Sequence, residues 1–354
     1  VSGQPLHIAM VATPWFTLPP HAYGGIEQMV ANLVEVLVAD GHELTLIGVG
    51  DNGTNAQHFL TTYGQPECDR LGAAIPEVVH AGQAARLLAE LRVDLVHDHS
   101  LAGPLTAAGR EIPTAVTVHL PVNGELGDLY AALGDSVRLV AISEAQRESR
   151  PELNWIGMVH NAVRVDTYPY SDDKEDYALF LGRASWQKGL HVAVDAAREA
   201  DVPLVVAAKC IEESEKIYFD EEVKPRLGPG VEWIGQVDAV GKRKLLQHAR
   251  CLVFPILGDE AFGLVMVEAL ACGTPVVALR RASVAEIVRS GETGLVCDTP
   301  EELPNALHEV RRISPARCRE DARLRFDSVG MAHRYEDLYR RVLSGEAEAT
   351  REAH

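Results

Sequence analysis

Residues 255–275 read PILGDEAFGLVMVEALACGTP, and two carboxylates among them, Glu260 and Glu268, stand eight positions apart. Turn-forming residues precede Phe262 and apolar ones follow it. Glu260, with Asp259 beside it, therefore falls on a loop, and Glu268 inside a short helix opening near Phe262 and Gly263. Amides at a helix start lack intrahelical partners, and the helix dipole adds positive potential there, so the position favours an anion. A loop acid, outward amides and a helix acid suit a ligand with hydroxyls at both ends and phosphate in the middle. A nucleotide sugar has that layout. Acids at this spacing also occur on ordinary solvated helices. Glu268 differs in its apolar flanks, 264–267 and 269–271, where a charge is costly unless a ligand or partner satisfies it.

From Glu260 to Val277 the pattern E-x-F-G-L-x-x-x-E-A-x-A-x-G-x-P-V-V resembles the signature of the family 4 (GT4) glycosyltransferases, nucleotide-sugar enzymes of the two-domain GT-B type. Such a site needs two α/β domains to position these residues, and the rest of the chain is consistent with that.

At 354 residues the chain is long enough for two domains, each with its own core. A hydrophobic share of 47% and a charged share of 24% are those of a globular protein. The net charge of −18 argues against nucleic acid as a partner, because phosphate backbones are held by clustered Lys and Arg. No apolar run approaches the ~20 residues that cross a bilayer, and no signal-peptide pattern opens the chain, so the expected location is cytoplasmic. The six cysteines are scattered without a C-x-x-C pair and read as reduced packing thiols.

Residues 6–13 form an apolar run, and a Pro/Gly-rich loop ending in Gly24-Gly25 leads into a helix at 26–40 with apolar positions at intervals of three and four. A second strand at 43–48 completes a strand, helix, strand unit. Gly24 and Gly25 thus stand after a first strand at a helix N-terminus, where glycine lets backbone approach phosphate. Further on come a helix near 83–91 and strands at 95–99, 115–119 and 139–142. His97, Asp98 and His99 hint at metal, but on a strand the histidines share one face and Asp98 points away. No further ligand cluster accompanies them, and no metal site is expected. His119 ends a strand before Pro121, at the sheet edge where ligands of open α/β folds collect. Ser143-Glu144 reads as a helix start.

The polar stretch 171–176 reads as a linker. A strand at 177–182 follows, then Arg183 and Lys188 on a strand-to-helix loop, placed to hold a diphosphate by a fork and a point charge. Strands at 204–208, 231–235, 251–255 and 276–279, and helices at 242–249, 301–312 and 331–343, continue the alternation.

The expected fold is α/β, GT-B, with two Rossmann-like doubly wound domains facing across a cleft. Residues 1–165 form the acceptor-side domain and 166–328 the donor-binding domain. A helix at 329–345 crosses back to the first domain, and 346–354 form a frayed tail. The resemblance implies a retaining, metal-independent hexosyltransferase moving a sugar from a UDP- or GDP-sugar to an acceptor hydroxyl, with no cofactor. In that reading Arg183 and Lys188 stabilise the departing diphosphate, helped by the amides of Phe262, Gly263 and Leu264 and by Gly24 and Gly25. Glu260 and His119 hold the sugar, Glu268 the ribose, and backbone near Val237 the base. The segment 161–164 resembles the family's interdomain turn, with Arg164 where an Asp is usual. Ala208-Lys209-Cys210 replaces a glycine-rich turn. The acceptor, whether sugar, lipid-linked or small natural product, leaves no motif. Alternatives on the same scaffold are a nucleotide-sugar epimerase, a phosphorylase, or a non-catalytic nucleotide-sugar-binding protein.

Overall fold

The fold rests on short aliphatic runs that form buried parallel strands, each followed by a crossover to the next. The computed structural model describes residues 3–21 and 24–345. The expected frayed tail, 346–354, lies outside the described residues.

In the first unit the strands are β1 (His7–Val11), β2 (Glu43–Val49), β3 (His58–Tyr63), β4 (Leu95–Asp98), β5 (Thr114–Thr117), β6 (Arg138–Ala141) and β7 (Trp155–Met158). They form one seven-stranded sheet in the order β3-β2-β1-β4-β5-β6-β7, with every adjacent pair parallel. Its helices are α1 (Gly25–Ala39), α2 (Ala74–Leu88), α3 (Glu125–Leu133) and α4 (Glu144–Ser149). Ser143 caps α4 by accepting a hydrogen bond from the Gln146 amide at 3.1 Å, which fixes the helix start read from Ser143-Glu144.

The second unit holds β8 (Ala178–Arg183), β9 (Leu204–Lys209), β10 (Val231–Trp233), β11 (Cys251–Phe254), β12 (Val276–Leu279) and β13 (Gly294–Cys297). Its six-stranded parallel sheet runs β10-β9-β8-β11-β12-β13. Around it lie α5 (Leu190–Glu199), α6 (Glu213–Tyr218), α7 (Ala239–His248), α8 (Leu264–Ala271), α9 (Val284–Ile287), α10 (Leu303–Glu309) and α11 (Pro315–Arg325). The last helix, α12 (Ser328–Ser344), belongs to the first unit and packs on α1.

The chain leaves the first unit after Asn161 and re-enters it at Ser328, so the second unit is Ala162–Asp327. The stretch 171–176, expected as a linker, lies inside this unit and is pinned. Lys174 Nζ donates to the carbonyls of Gln247 (2.8 Å) and Cys272 (3.1 Å) and to Thr274 Oγ1 (2.9 Å). Asp176 pairs with Arg250 and Arg311. Lys174 and Asp176 anchor the stretch, while Asp172, Asp173 and Glu175 remain exposed.

In both sheets the strand order reverses, between β1 and β4 and between β8 and β11. Loops leaving the carboxyl ends of such neighbours diverge and open a crevice between them. Each sheet thus offers one ready-made place for a ligand.

Candidate functional site

At the second unit's reversal point, Lys188 arrives from β8 and Glu260 from β11. Their side chains form an ion pair, with 24% and 20% of their respective surfaces exposed. The Lys188 Nζ also lies 5.7 Å from the centre of the Phe254 ring, within reach of its negative face. Gly189 makes this approach possible. Its φ is +68°, and a Cβ there would stand 2.0 Å from the Pro255 carbonyl oxygen, so the two loops touch only because that atom is missing.

Arg183 ends β8 and sits in register with Lys209 on β9. Two cations side by side repel, and two carboxylates answer them. Glu212 lies 2.8 Å from Lys209 Nζ and 3.8 Å from Arg183, and the buried Glu215 lies 3.9 Å from Arg183 and 4.0 Å from Lys209. Glu215 is fixed by accepting hydrogen bonds from the amides of Ile211 and Glu212 at 2.9 and 3.1 Å.

Phe262 is buried, with its carbonyl accepting from Ser283 Oγ at 2.6 Å. Gly263, at φ +84°, caps α8 and turns the chain so that Leu264 begins the helix. Glu268 is buried in α8, and its charge is satisfied within the protein. Lys242 Nζ on α7 lies 2.6 Å from its Oε1, and the Tyr168 hydroxyl donates to the same oxygen at 2.9 Å. Burial, and then the neighbouring Glu268 charge, hold the Tyr168 phenol well above its ordinary range. Val237 sits half-buried in the loop before α7, next to Asp238, which caps that helix through the Gly241 amide at 2.7 Å.

In the first unit, Gly24 is the N-cap of α1 and Gly25 its first residue. Two positions on, Glu27 is buried and takes a hydrogen bond from Thr13, and burial raises its carboxyl to about 7. His119 follows β5, half-buried, with its Nε2 2.9 Å from Nδ1 of His99, which follows β4. His99 Nε2 faces Met10 Sδ at 3.1 Å. His97 bonds Thr117 Oγ1 at 2.8 Å and the Tyr339 hydroxyl of α12 at 2.6 Å. Burial depresses His97 and His119 to about 3 and His99 well below its ordinary 6.5. These imidazoles are neutral. Among the described residues no cluster of three or more His, Cys, Asp and Glu is arranged to hold a metal ion.

The structure therefore brings Lys188 and Glu260 into contact and sets Arg183 on the same β8 edge. It places Phe262, Gly263, Leu264 and Glu268 on one turn and helix, and Gly24, Gly25 and His119 at carboxyl ends of the first sheet. Sequence reasoning missed Lys242, Tyr168 and Glu215. Each is polar and locally unremarkable, and only the packing of α7, α8 and α6 reveals its partner.

Comparison with known proteins agrees with this architecture. The "Glycosyl transferases group 1" family model matches residues 169–325, and "Glycosyltransferase Family 4" matches 23–167. The phosphatidyl-myo-inositol mannosyltransferase of Mycobacterium leprae is 26% identical over 82% of each chain. Glycogen synthase of Mycobacterium tuberculosis is 24% identical over 86% of each. Among solved structures, AviGT4, a glycosyltransferase involved in avilamycin A biosynthesis, superposes with a TM-score of 0.74 at 27% identity, covering 96% of this chain and 99% of its own. The Anabaena protein HepE, solved with UDP and glucose, shares the fold at a TM-score of 0.73 and 17% identity, covering 94% of this chain and 98% of its own. Two parallel α/β units of this kind define a glycosyltransferase of the GT-B fold. Within that class the chain belongs to glycosyltransferase family 4. No helix among the described residues is long and apolar enough to cross a membrane.

Proposed function

We propose that the protein is a retaining, metal-independent hexosyltransferase that uses a UDP- or GDP-sugar. The observation that carries this reading is the Lys188–Glu260 pair at the reversal point of the second sheet. A diphosphate attracts Lys188, and a sugar hydroxyl can replace the ammonium as the donor to Glu260, so one ligand with both groups answers both side chains. The bond from the anomeric carbon to the diphosphate oxygen breaks, the acceptor oxygen bonds to that carbon on the same face, and its proton passes to the leaving phosphate. Arg183 and Lys188, with the amides of Phe262 to Leu264, stabilise the charge growing on the diphosphate. Glu268 retains lone pairs for the ribose hydroxyls, and Val237 borders the base. From the first unit, Gly24 and Gly25 are assigned to the phosphates and His119 to the sugar. The acceptor offers a hydroxyl, on a sugar, a lipid-linked sugar or a small natural product. Six unpaired cysteines suit a reducing, cytoplasmic setting.

A thermal-shift panel of UDP, GDP, ADP and TDP with their sugars identifies the donor, since a ligand of the folded state raises its melting temperature. With that donor, Lys188→Ala is expected to lower kcat by roughly 10²–10³, and excess EDTA to leave the wild-type rate unchanged. A Lys188→Ala enzyme with wild-type kinetics would sink the assignment.

A further inference from the structure

The histidine chain of the first unit fixes where its protons sit. A thioether carries no hydrogen and can only accept. His99 Nε2, 3.1 Å from Met10 Sδ, is therefore assigned the proton; the other tautomer would set one lone pair against another. His99 is neutral in its buried setting, so its Nδ1 is a bare acceptor. The atom facing that acceptor at 2.9 Å, His119 Nε2, must donate. His119 has then placed its single hydrogen on Nε2, which leaves Nδ1 as an acceptor. That Nδ1 is buried and has no hydrogen-bond partner among the described residues. His97, engaged by Thr117 and Tyr339, stays out of this chain.

Three adjacent strands make the arrangement possible. Met10 lies on β1, His99 follows β4 and His119 follows β5, and the sheet order places these strands side by side.

We propose that His99, seated on Met10, is a positioning residue that locks His119 in its Nε2–H tautomer, so that His119 Nδ1 accepts a hydrogen bond from a hydroxyl of the donor sugar. This rests on the donor reading given above for His119. The tautomer selects by chemistry. A hydroxyl is accepted, whereas a deoxy or fluoro position leaves Nδ1 unpaired and a carboxylate finds no donor there.

The test is ¹⁵N NMR of ligand-free protein labelled at histidine, with signals assigned through His119→Gln and His99→Phe. In the wild type, His119 is expected to show a protonated Nε2 and a bare Nδ1. In His99→Phe it is expected to show a mixture of tautomers. A proton on His119 Nδ1 in the wild type, or an unchanged Nε2–H form in His99→Phe, overturns the inference. Should His99→Phe not fold, Met10→Leu keeps the volume and the imidazole while removing the sulfur acceptor, and the same loosening of His119 is expected. Kinetics with UDP-glucose and GDP-mannose give the second reading: His99→Phe should lose roughly tenfold or more in kcat/KM and melt close to the wild type. An unchanged kcat/KM overturns the positioning role. If the wild type transfers from no nucleotide sugar, the proposed function fails and takes the hydroxyl contact with it, while the NMR result stands or falls separately.

Discussion

Glu268 shows how a charge read from sequence as costly meets its remedy in the fold. Its apolar neighbours demanded a ligand or a partner to satisfy it. The protein supplies its own, since Lys242 and Tyr168 both meet Oε1. The two contributions differ in size. Tyr168→Phe removes one hydrogen bond to a charged acceptor and should lower the unfolding free energy by roughly 1.5–3 kcal/mol in a denaturant melt. Lys242→Met leaves the buried carboxylate without its cation and should cost more, roughly 3–5 kcal/mol. Equal stability of Lys242→Met and the wild type would show that the ion pair contributes nothing.

At the level of elements, Gly189 sets the distance between the two loops that carry Lys188 and Glu260. Gly189→Ala would force a Cβ against the Pro255 carbonyl at a positive φ, and should destabilise by more than about 1 kcal/mol while lowering turnover through displacement of Glu260. A thermal melt together with the transfer rate checks both. The alternation of strand and helix, and the loops bearing Arg183, Lys188 and Glu260, were legible because buried parallel strands are short aliphatic runs with turn residues at their ends. Edge strands were not. β3, at one edge of the first sheet, carries partly exposed residues in the sequence HFLTTY and lies in the stretch between 48 and 83 for which no element was expected. At the other edge β7, WIGM, is half-buried throughout and contains glycine. Helix α2 starts at Ala74, well before the expected 83, because a proline in a first turn does not stop a helix. In the site, the strand-to-loop placement of Arg183, Lys188 and Glu260 was readable. The partners of Glu268, Lys242 and Tyr168, lie 26 and 100 positions away, and Glu212 and Glu215, though close to Lys209 in sequence, meet Arg183 only through the packing of β8 and α6 and carry no periodic signal.

For the whole molecule, buried titratable groups of the first unit set the dependence of stability on pH. His80 is held to about 4, His97 and His119 to about 3, and His99 lower than its ordinary 6.5, all by burial first. Below 6.5 the unfolded chain binds protons at these sites that the folded chain refuses, so stability falls as pH drops. Glu27, raised from 4.5 to about 7, and Asp98, raised from 3.8 to about 6, act oppositely. Their folded forms keep protons that the unfolded chain releases, so the stability they supply is full at low pH and lost as pH rises through those values. Glu77, raised by burial, acts in the same sense as Glu27 and Asp98; four histidines against these three acids leave a net loss on acidification, and the melting temperature should fall between about pH 7 and pH 5. Glu27→Gln should remove a penalty of about 3 kcal/mol at pH 8 and raise the melting temperature there. A wild-type melting temperature flat across that range would refute the account.

The strand-like bridge between Val163 and Asp327, with the Val163 amide donating to the Phe326 carbonyl at 3.0 Å, joins the second residue of the second unit to its last. A segment whose ends already meet, and which owns a complete sheet, has the design of a removable cassette. Residues 162–327 expressed alone should melt cooperatively, and the closeness of their termini makes the piece suitable for circular permutation or for grafting into another host by its two neighbouring ends.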